Sequence, residues 1–578
     1  MSMLKRLSPA NLQTQYQMAR VMTSLSTDLG RAYAQWAAAL ATHPGFVFKH
    51  SMSLTGDYLG IGGELLRESV GTAVNGNGKS RVGDRRFAGA SWERRPVFNA
   101  VRKAWNATTQ TTLSLADGTP GLDSDTARKL RFFTGQFMDA VAPSNFALSN
   151  PEVHAAARET RGRNFVEGVR NFWSDLDIRH GKLKISMSDM GAFKVGRDLA
   201  VTPGKVIYQN ELMQLIQYTP TTAKVARRPL LIIPPWLNKY YVLDMQPSNS
   251  LVRWAVDQGH TVFLISWINP DGETRDKTFD DYMLEGPLAA LDVIKDITGQ
   301  EEVNAMGYCL GGILLTAMLA WLEAKGRRPI RSATFLTTLV DYGDVGDIKV
   351  FLSEDLVDRL ESVGRSKGYI PGDNVSWGFR MLRAPDLIWS FIINHYLLGK
   401  PRVPFDLLYW NEDATNMPAA CHTWFMRNMY LKNDLRKANA LEIAGEPIDV
   451  TKITTPSYVM ATRDDHIAPW KTCYETTQLF SGPMRFTLGN SGHIAGVINP
   501  PTKVKYGYRA GDAPPAEADA WFEATEAQDG SWWLDWGKWL KKHAGGQVNA
   551  RQPGKSKGYP VIEDAPGSFV RRTMAEIA

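Results

Sequence analysis

Gly307-Tyr308-Cys309-Leu310-Gly311 places a cysteine between two glycines, where an apolar run (303–308) meets an apolar helical pattern (311–326). A glycine-x-nucleophile-x-glycine pattern fits a sharp strand-to-helix turn with a strained, accessible central residue. The glycines are needed because side chains there would collide with the neighbouring strand and helix. A helix N-terminus under the sulfur favours the thiolate. It also offers backbone N–H groups, that of Leu310 first, to a developing oxyanion. The bland alternative is a core cysteine in a glycine-rich turn. The position midway through a series of apolar runs favours chemistry.

A nucleophile needs a base and an acid to orient it, and the chain order that goes with this turn is nucleophile, acid, histidine. The run 457–463 is followed by DDHIAPW, and the run 484–490 by SGHIAGV. His493, beside Gly492 and after the last run, is the expected base. The acid is Asp464 or Asp465, and spacing does not choose between them. His466 adjoins the acid at the wrong end of the order and is expected to be structural. Cys421 and Cys473 lack flanking glycines and read as core thiols. The run 229–235 ends in PPWLNKYY. The loop after that strand supplies the second oxyanion donor, expected to be the Leu237 N–H.

The elements that must hold these residues change character along the chain. Up to about residue 190, apolar residues recur three and four apart, as in SLSTDLGRAYAQWAAAL and TARKLRFFTGQFMDAVA, which predicts helices. The glycine-rich stretch 73–87 predicts a loop. From about residue 200, short continuous apolar runs alternate with helical stretches: 229–235, 260–267, 303–309, 332–338, 457–463 and 484–490. Continuous runs of this kind are strands buried on both faces. Together they predict an α/β fold with a doubly wound, mostly parallel sheet. The gap between 338 and 457 is rich in aromatic residues and reads as a cap inserted at about 340–430. The expected domains are therefore a helical one over 1–195 and a catalytic one over 196–578. The C-terminal region is expected to contain a tryptophan-rich amphipathic helix and to be extended beyond 545.

Composition narrows the classes. The chain has 578 residues, 44% hydrophobic and 22% charged, and a net charge of +6 without a dense basic run, which argues against a nucleic-acid partner. Three cysteines without a CxxC argue for a reducing compartment and against a disulfide framework or a zinc site. The N-terminal MSMLKRLSPANLQTQYQMARVM lacks the apolar core of a signal peptide. The apolar stretch 387–399 is shorter than the ~20 residues of a spanning helix. A cytoplasmic protein is expected.

The stretches PPWLNKYYVLDMQPSNSLVRWAVDQGHTVFLISWINPD, GYCLGG, PFDLLYWNEDATNMP, RDDHIAPW and GNSGHIAGVINPP together resemble the polyhydroxyalkanoate synthases, most closely the single-subunit class I type. The resemblance runs from GDRRFAGASW, near residue 85, to GSWWLDWGKWL, and it is weakest over the first 80 residues. It implies an α/β-hydrolase fold and a Cys309–His493–Asp465 triad, choosing Asp465 over Asp464. The implied reaction polymerises short-chain (R)-3-hydroxyacyl-CoA into polyester with release of coenzyme A. No metal or cofactor is implied beyond the coenzyme A of the substrate. Implied partners are the growing chain, the granule surface, granule-associated proteins and a second copy in a homodimer. Cysteine suits such a reaction because thiolate attack exchanges one thioester for another and keeps the acyl group activated. Asp465 either orients His493 or helps deprotonate the attacking 3-hydroxyl. Tyr308, Leu310 and Trp236 are expected to tune side-chain preference. The other readings are a depolymerase or thioesterase on the same fold, and a non-catalytic granule-coating protein that uses its N-terminal and tryptophan-rich segments.

Overall fold

The apolar runs 230–233, 262–267 and 303–308 have no polar face, so their strands must be covered on both sides. In the computed structural model, which describes residues 27–69, 84–177 and 182–577, they lie at the centre of one sheet. Its strands are β1 (Gly204–Gln209), β2 (Met213–Tyr218), β3 (Leu230–Ile233), β4 (Val262–Trp267), β5 (Val303–Tyr308), β6 (Ile330–Leu336), β7 (Ser457–Thr462), β8 (Met484–Gly489), β9 (Tyr508–Asp512) and β10 (Glu563–Asp564). The order across the sheet is β9-β8-β7-β6-β5-β3-β4-β2-β1-β10. The stretch from β8 to β4 is parallel throughout. The flanking strands β9, β2, β1 and β10 pair antiparallel. The expected α/β-hydrolase architecture is therefore present, with β5 between β3 and β6 and its C-terminal end at the cysteine turn.

Two strands precede the one expected to be first. β1 and β2 form a hairpin in which Asn210 Oδ1 accepts from the N–H groups of Leu212 and Met213. Their sequence, KVIYQNELMQLIQY, interleaves polar residues and so lacks the continuous apolar signal.

The described residues divide into two compact units: 190–374 with 405–577, and those up to Asp189 with 375–404. The second unit holds α1 (Pro44–Ser69), α2 (Pro96–Gly118), α3 (Ser124–Ala140), α4 (Pro151–Glu159) and α5 (Arg163–Asp175). Within it, segment 375–404 is tied to these helices by bonds from Asn164 Nδ2 to the Leu397 carbonyl (2.8 Å) and from Gln136 Nε2 to the Met381 carbonyl (3.0 Å). Tyr396 and Arg402 both bond the buried Asp175 carboxylate. The stretch expected as a cap is thus shared between the units. The expected N-terminal reading over 1–22 and most of the predicted 73–87 loop lie outside the described residues. Among the described residues no helix is long and apolar enough to cross a membrane.

In the sheet unit, α6 (Leu310–Ala324) follows the cysteine, and α7 (Trp470–Leu479) follows the DDHIAP turn. α8 (Trp532–Lys542) is the expected tryptophan-rich helix. Trp532, Trp533, Trp536 and Trp539 are all buried. Trp533 donates to the Val497 carbonyl at 2.9 Å and Trp536 to Thr334 Oγ1 at 3.0 Å. This corrects the coating reading for the tryptophans of that segment, because these rings belong to the core. Beyond residue 545 the chain is largely extended. Gln547–Asn549 pairs with Lys224–Ala226, and β10 closes the sheet edge.

A Cβ on Gly311 would lie 2.0 Å from the Ile233 carbonyl oxygen, a backbone atom inside the parallel sheet. Gly311→Ala is therefore expected to destabilise the sheet unit by about 3 kcal/mol. Urea unfolding followed by tryptophan fluorescence checks this, and an unchanged midpoint contradicts the packing described.

Candidate active site

β5 hands over to α6 through a single residue, Cys309, whose backbone sits at φ 51° and ψ −117°. Its N–H donates to the Leu336 carbonyl at 2.9 Å. Its own carbonyl accepts from the N–H groups of Gly312 and Ile313 and from Thr338 Oγ1. These bonds come from β6, α6 and the loop after β6, so the turn is held from three sides. A Cβ on Gly307 would lie 2.4 Å from the Gly312 Cα, which accounts for the first glycine of the pattern as the Ile233 approach accounts for the second. The Cys309 thiol is half-buried, whereas Cys421 and Cys473 are fully buried and their thiols are pushed well up by that burial. In the first turn of α6, the N–H groups of Leu310 and Gly311 have no intrahelical acceptor to use.

His493 and Asp465 meet in the loops after β8 and β7. Nδ1 of His493 is 2.7 Å from Oδ2 of Asp465, and both side chains are buried. The second oxygen of Asp465 accepts from the N–H groups of Ile467 (2.8 Å) and Ala468 (2.9 Å), and Thr462 Oγ1 donates to Oδ2 at 3.2 Å. Asp464 is exposed, and its backbone N–H bonds the Ser491 carbonyl. The structure thus pairs His493 with Asp465 and leaves Asp464 in solvent. Tyr308 lies under the histidine. Its ring stacks at 5.7 Å and 29°, and its hydroxyl donates to the His493 carbonyl at 3.5 Å. Tyr308 therefore supports the imidazole, a contact its place beside the cysteine did not reveal.

Burial disfavours an imidazolium at His493. The negative charge on Asp465, joined by Cys309, outweighs burial and raises the histidine to about 10. On Asp465, burial pushes the carboxyl up. His493 and the two backbone donors outweigh that and hold it below the usual carboxylate range. His493 thus holds a proton at neutral pH, with the charge of Cys309 on one side and a fixed carboxylate on the other.

The loop after β3 runs against the same turn, since a Cβ on Gly311 would also sit 2.7 Å from Pro234. Leu237 is half-buried in it. The next residues are clamped: the Asn238 N–H donates to Thr415 Oγ1 (2.9 Å), Lys239 pairs with Asp413 (2.7 Å), and Trp410 Nε1 donates to the Lys239 carbonyl (2.6 Å). Trp236 is buried against Phe279, Tyr282 and Phe425. Among the described residues no group of three or more His, Cys, Asp or Glu side chains is arranged to hold a metal. Sequence reading missed Thr338, Tyr342 and Tyr430 near the cysteine. Their approach depends on how the segment before β7 folds back, for which no local motif exists.

The pair makes stability depend on pH with a definite sign. His493 titrates near 10 when folded against 6.5 when free, so between these values the native state holds an extra proton. The stabilisation is complete below about 6.5 and is lost as pH rises through about 10. Asp465→Asn removes its main source. The gap in unfolding free energy between wild type and Asp465→Asn is expected to be widest near neutral pH and to narrow above about 10. Urea titrations across that range measure it.

Residues 83–255 match the family described as the poly-beta-hydroxybutyrate polymerase (PhaC) N-terminus, and residues 228–500 match the alpha/beta hydrolase fold family. The poly(3-hydroxyalkanoate) polymerase of Methylorubrum extorquens is 44% identical over 84% of this chain and 80% of its own. The poly(3-hydroxyalkanoate) polymerase subunit PhaC of Rhizobium meliloti is 41% identical over 90% of this chain and 84% of its own. That of Cupriavidus necator is 42% identical over 84% and 83%. With a hydrolase-type sheet, a cysteine at its nucleophile turn and this identity across most of both chains, the protein belongs to the poly(3-hydroxyalkanoate) polymerase family.

Proposed function

We propose that this chain polymerises 3-hydroxyacyl-CoA, short-chain substrates such as (R)-3-hydroxybutyryl-CoA foremost, into polyester through a thioester on Cys309. The observation that carries the reading is a half-buried cysteine at the strand-to-helix turn, in contact with a histidine that is bonded to a buried aspartate. With the thiol proton already held on His493, the Cys309 sulfur attacks the thioester carbonyl as a thiolate paired with the imidazolium. The N–H groups of Leu310 and Leu237 hold the oxyanion. The carbon–sulfur bond to coenzyme A breaks, and the leaving thiolate takes the proton back from His493. In elongation the 3-hydroxyl of one acyl unit attacks the thioester of another. Its proton passes to His493, an ester forms and a thiol is released.

Of the two roles open to Asp465, orientation of His493 is the better supported. Both of its oxygens are engaged by four donors, and neither is directed to a further proton. No cofactor enters this scheme beyond the coenzyme A of the substrate. The site of action is the surface of polyester granules in the cytoplasm, where the chain works as a homodimer. Exposed Phe48, Met52, Leu59 and Leu66 along α1 suit contact with an apolar surface.

Incubation with 3-hydroxybutyryl-CoA is expected to release free coenzyme A together with insoluble polymer. Coenzyme A with free acid means a thioesterase, and no coenzyme A means a scaffold. Cys309→Ala is expected to abolish release with the fold intact, and an acyl label on Cys421 or Cys473 contradicts the scheme. For Asp465→Asn, rapid-quench measurement is expected to show the first coenzyme A burst and the later steady rate falling together, by about 100-fold or more. A retained burst with lost elongation would instead assign Asp465 to the substrate hydroxyl. Asp464→Asn is expected to be mild.

A further inference from the structure

A buried hydroxyl with no protein partner calls for an explanation, and beside a reactive group a bound substrate can be that partner. Tyr342 is 4% exposed, and its hydroxyl meets no hydrogen-bond partner among the described residues. Its position is built rather than incidental. Its N–H donates to Asn433 Oδ1 at 2.9 Å, and Asn433 Nδ2 donates to Asp341 at 2.7 Å. Asp341 also pairs with Arg436. Four residues earlier in the same loop, Thr338 bonds the Cys309 carbonyl at 3.3 Å. The Tyr342 ring meets Tyr430 edge-on at 4.9 Å and Phe425 at 6.1 Å. Phe425 in turn lies 5.6 Å from Trp236, the neighbour of Leu237. These four rings join the oxyanion loop to the loop behind the nucleophile. Burial, with Tyr430 and Cys309 nearby, keeps the Tyr342 phenol protonated and so able to donate.

We propose that the Tyr342 hydroxyl donates a hydrogen bond to the 3-hydroxyl oxygen of the acyl group on Cys309, and so selects 3-hydroxyacyl over unsubstituted acyl thioesters. The inference rests on the function proposed above. The choice of atom follows from what the acyl group offers. Its carbonyl oxygen is taken by the two backbone donors and its hydrocarbon offers no acceptor, which leaves the 3-hydroxyl. A donor bond to that oxygen leaves its own proton free to reach the base in elongation.

The test compares single-turnover coenzyme A release from 3-hydroxybutyryl-CoA and from butyryl-CoA, for wild type and Tyr342→Phe. The ratio of the two rates does not depend on the fraction of folded protein. Wild type is expected to prefer the hydroxylated thioester. In Tyr342→Phe the ratio is expected to fall by about tenfold or more, with butyryl-CoA within about twofold of wild type. The thermal midpoint of the variant is expected not to fall, because the hydroxyl has no protein partner to lose. An unchanged ratio, or an equal loss on both thioesters, overturns the assignment while leaving wild-type acylation intact. Failure of wild type to release coenzyme A from either thioester overturns the proposed function and this assignment with it.

Discussion

The site depends on one backbone conformation. At φ 51° Cys309 occupies a region that costs a residue with a side chain on the order of 1–3 kcal/mol, and it stays there because its surroundings leave no alternative. β6 takes its N–H, the first turn of α6 takes its carbonyl, and Gly307 and Gly311 let two backbones come closer than any side chain permits. Relaxing the turn would break the handover from β5 to α6 in the middle of a sheet whose strands are buried on both faces. The sheet therefore holds the strain. In return the side chain of Cys309 leaves the strand at the N-terminus of α6, where the first N–H groups have no intrahelical acceptor. The parallel order β3-β5-β6 has the same consequence at larger scale, since it brings the loops after β3 and β6 to the two sides of the cysteine.

The acid and base are positioned by different means. Asp465 lies in a tight turn whose backbone N–H groups, from Ile467 and Ala468, bind one carboxylate oxygen and leave the other to His493. A buried carboxylate is costly unless its lone pairs are met, and here four donors meet them. The charge is therefore stable enough to hold the histidine in one orientation. Tyr308 completes the arrangement from below, with its ring against the imidazole and its hydroxyl at the same residue's carbonyl. One residue of the cysteine turn thus supports the imidazole, which ties Cys309 and His493 to a single peptide.

Much of this was legible in the sequence because it is local. Continuous apolar runs located the parallel strands, and the glycine spacing located the turn. The loops after 457–463 and 484–490 bring Asp465 and His493 together, as the expected order required. What stayed illegible was set by burial or by distant packing. Spacing left Asp464 and Asp465 equal, and the difference is that one is exposed and the other enclosed. β1 and β2 are interrupted by Gln209, Gln214 and Gln217, which hide these antiparallel strands from a search for continuous apolar runs. The tryptophans of α8 read as one face of an amphipathic helix, yet they are buried in the core. The inserted stretch before β7 read as one cap because composition does not report partners, while bonds from Asn164 and Gln136 tie its middle part to the helical unit.

The choice of cysteine and the aromatic walls around it answer one chemical demand. An acyl group waiting on the enzyme for its next partner must stay reactive toward a hydroxyl and yet survive water. A thioester meets the first condition, because its energy is close to that of the substrate it came from. The rings of Trp236, Phe425, Tyr430 and Tyr342 suit the second, since an apolar enclosure keeps water from competing and strengthens each remaining polar contact. In such an enclosure a single unpartnered phenol carries more discriminating weight than it would in solvent. A substrate that brings an acceptor satisfies it, and one that lacks the acceptor leaves it desolvated and unpaired. Exclusion of water and the proposed selection of the 3-hydroxyl would thus be two effects of the same aromatic wall.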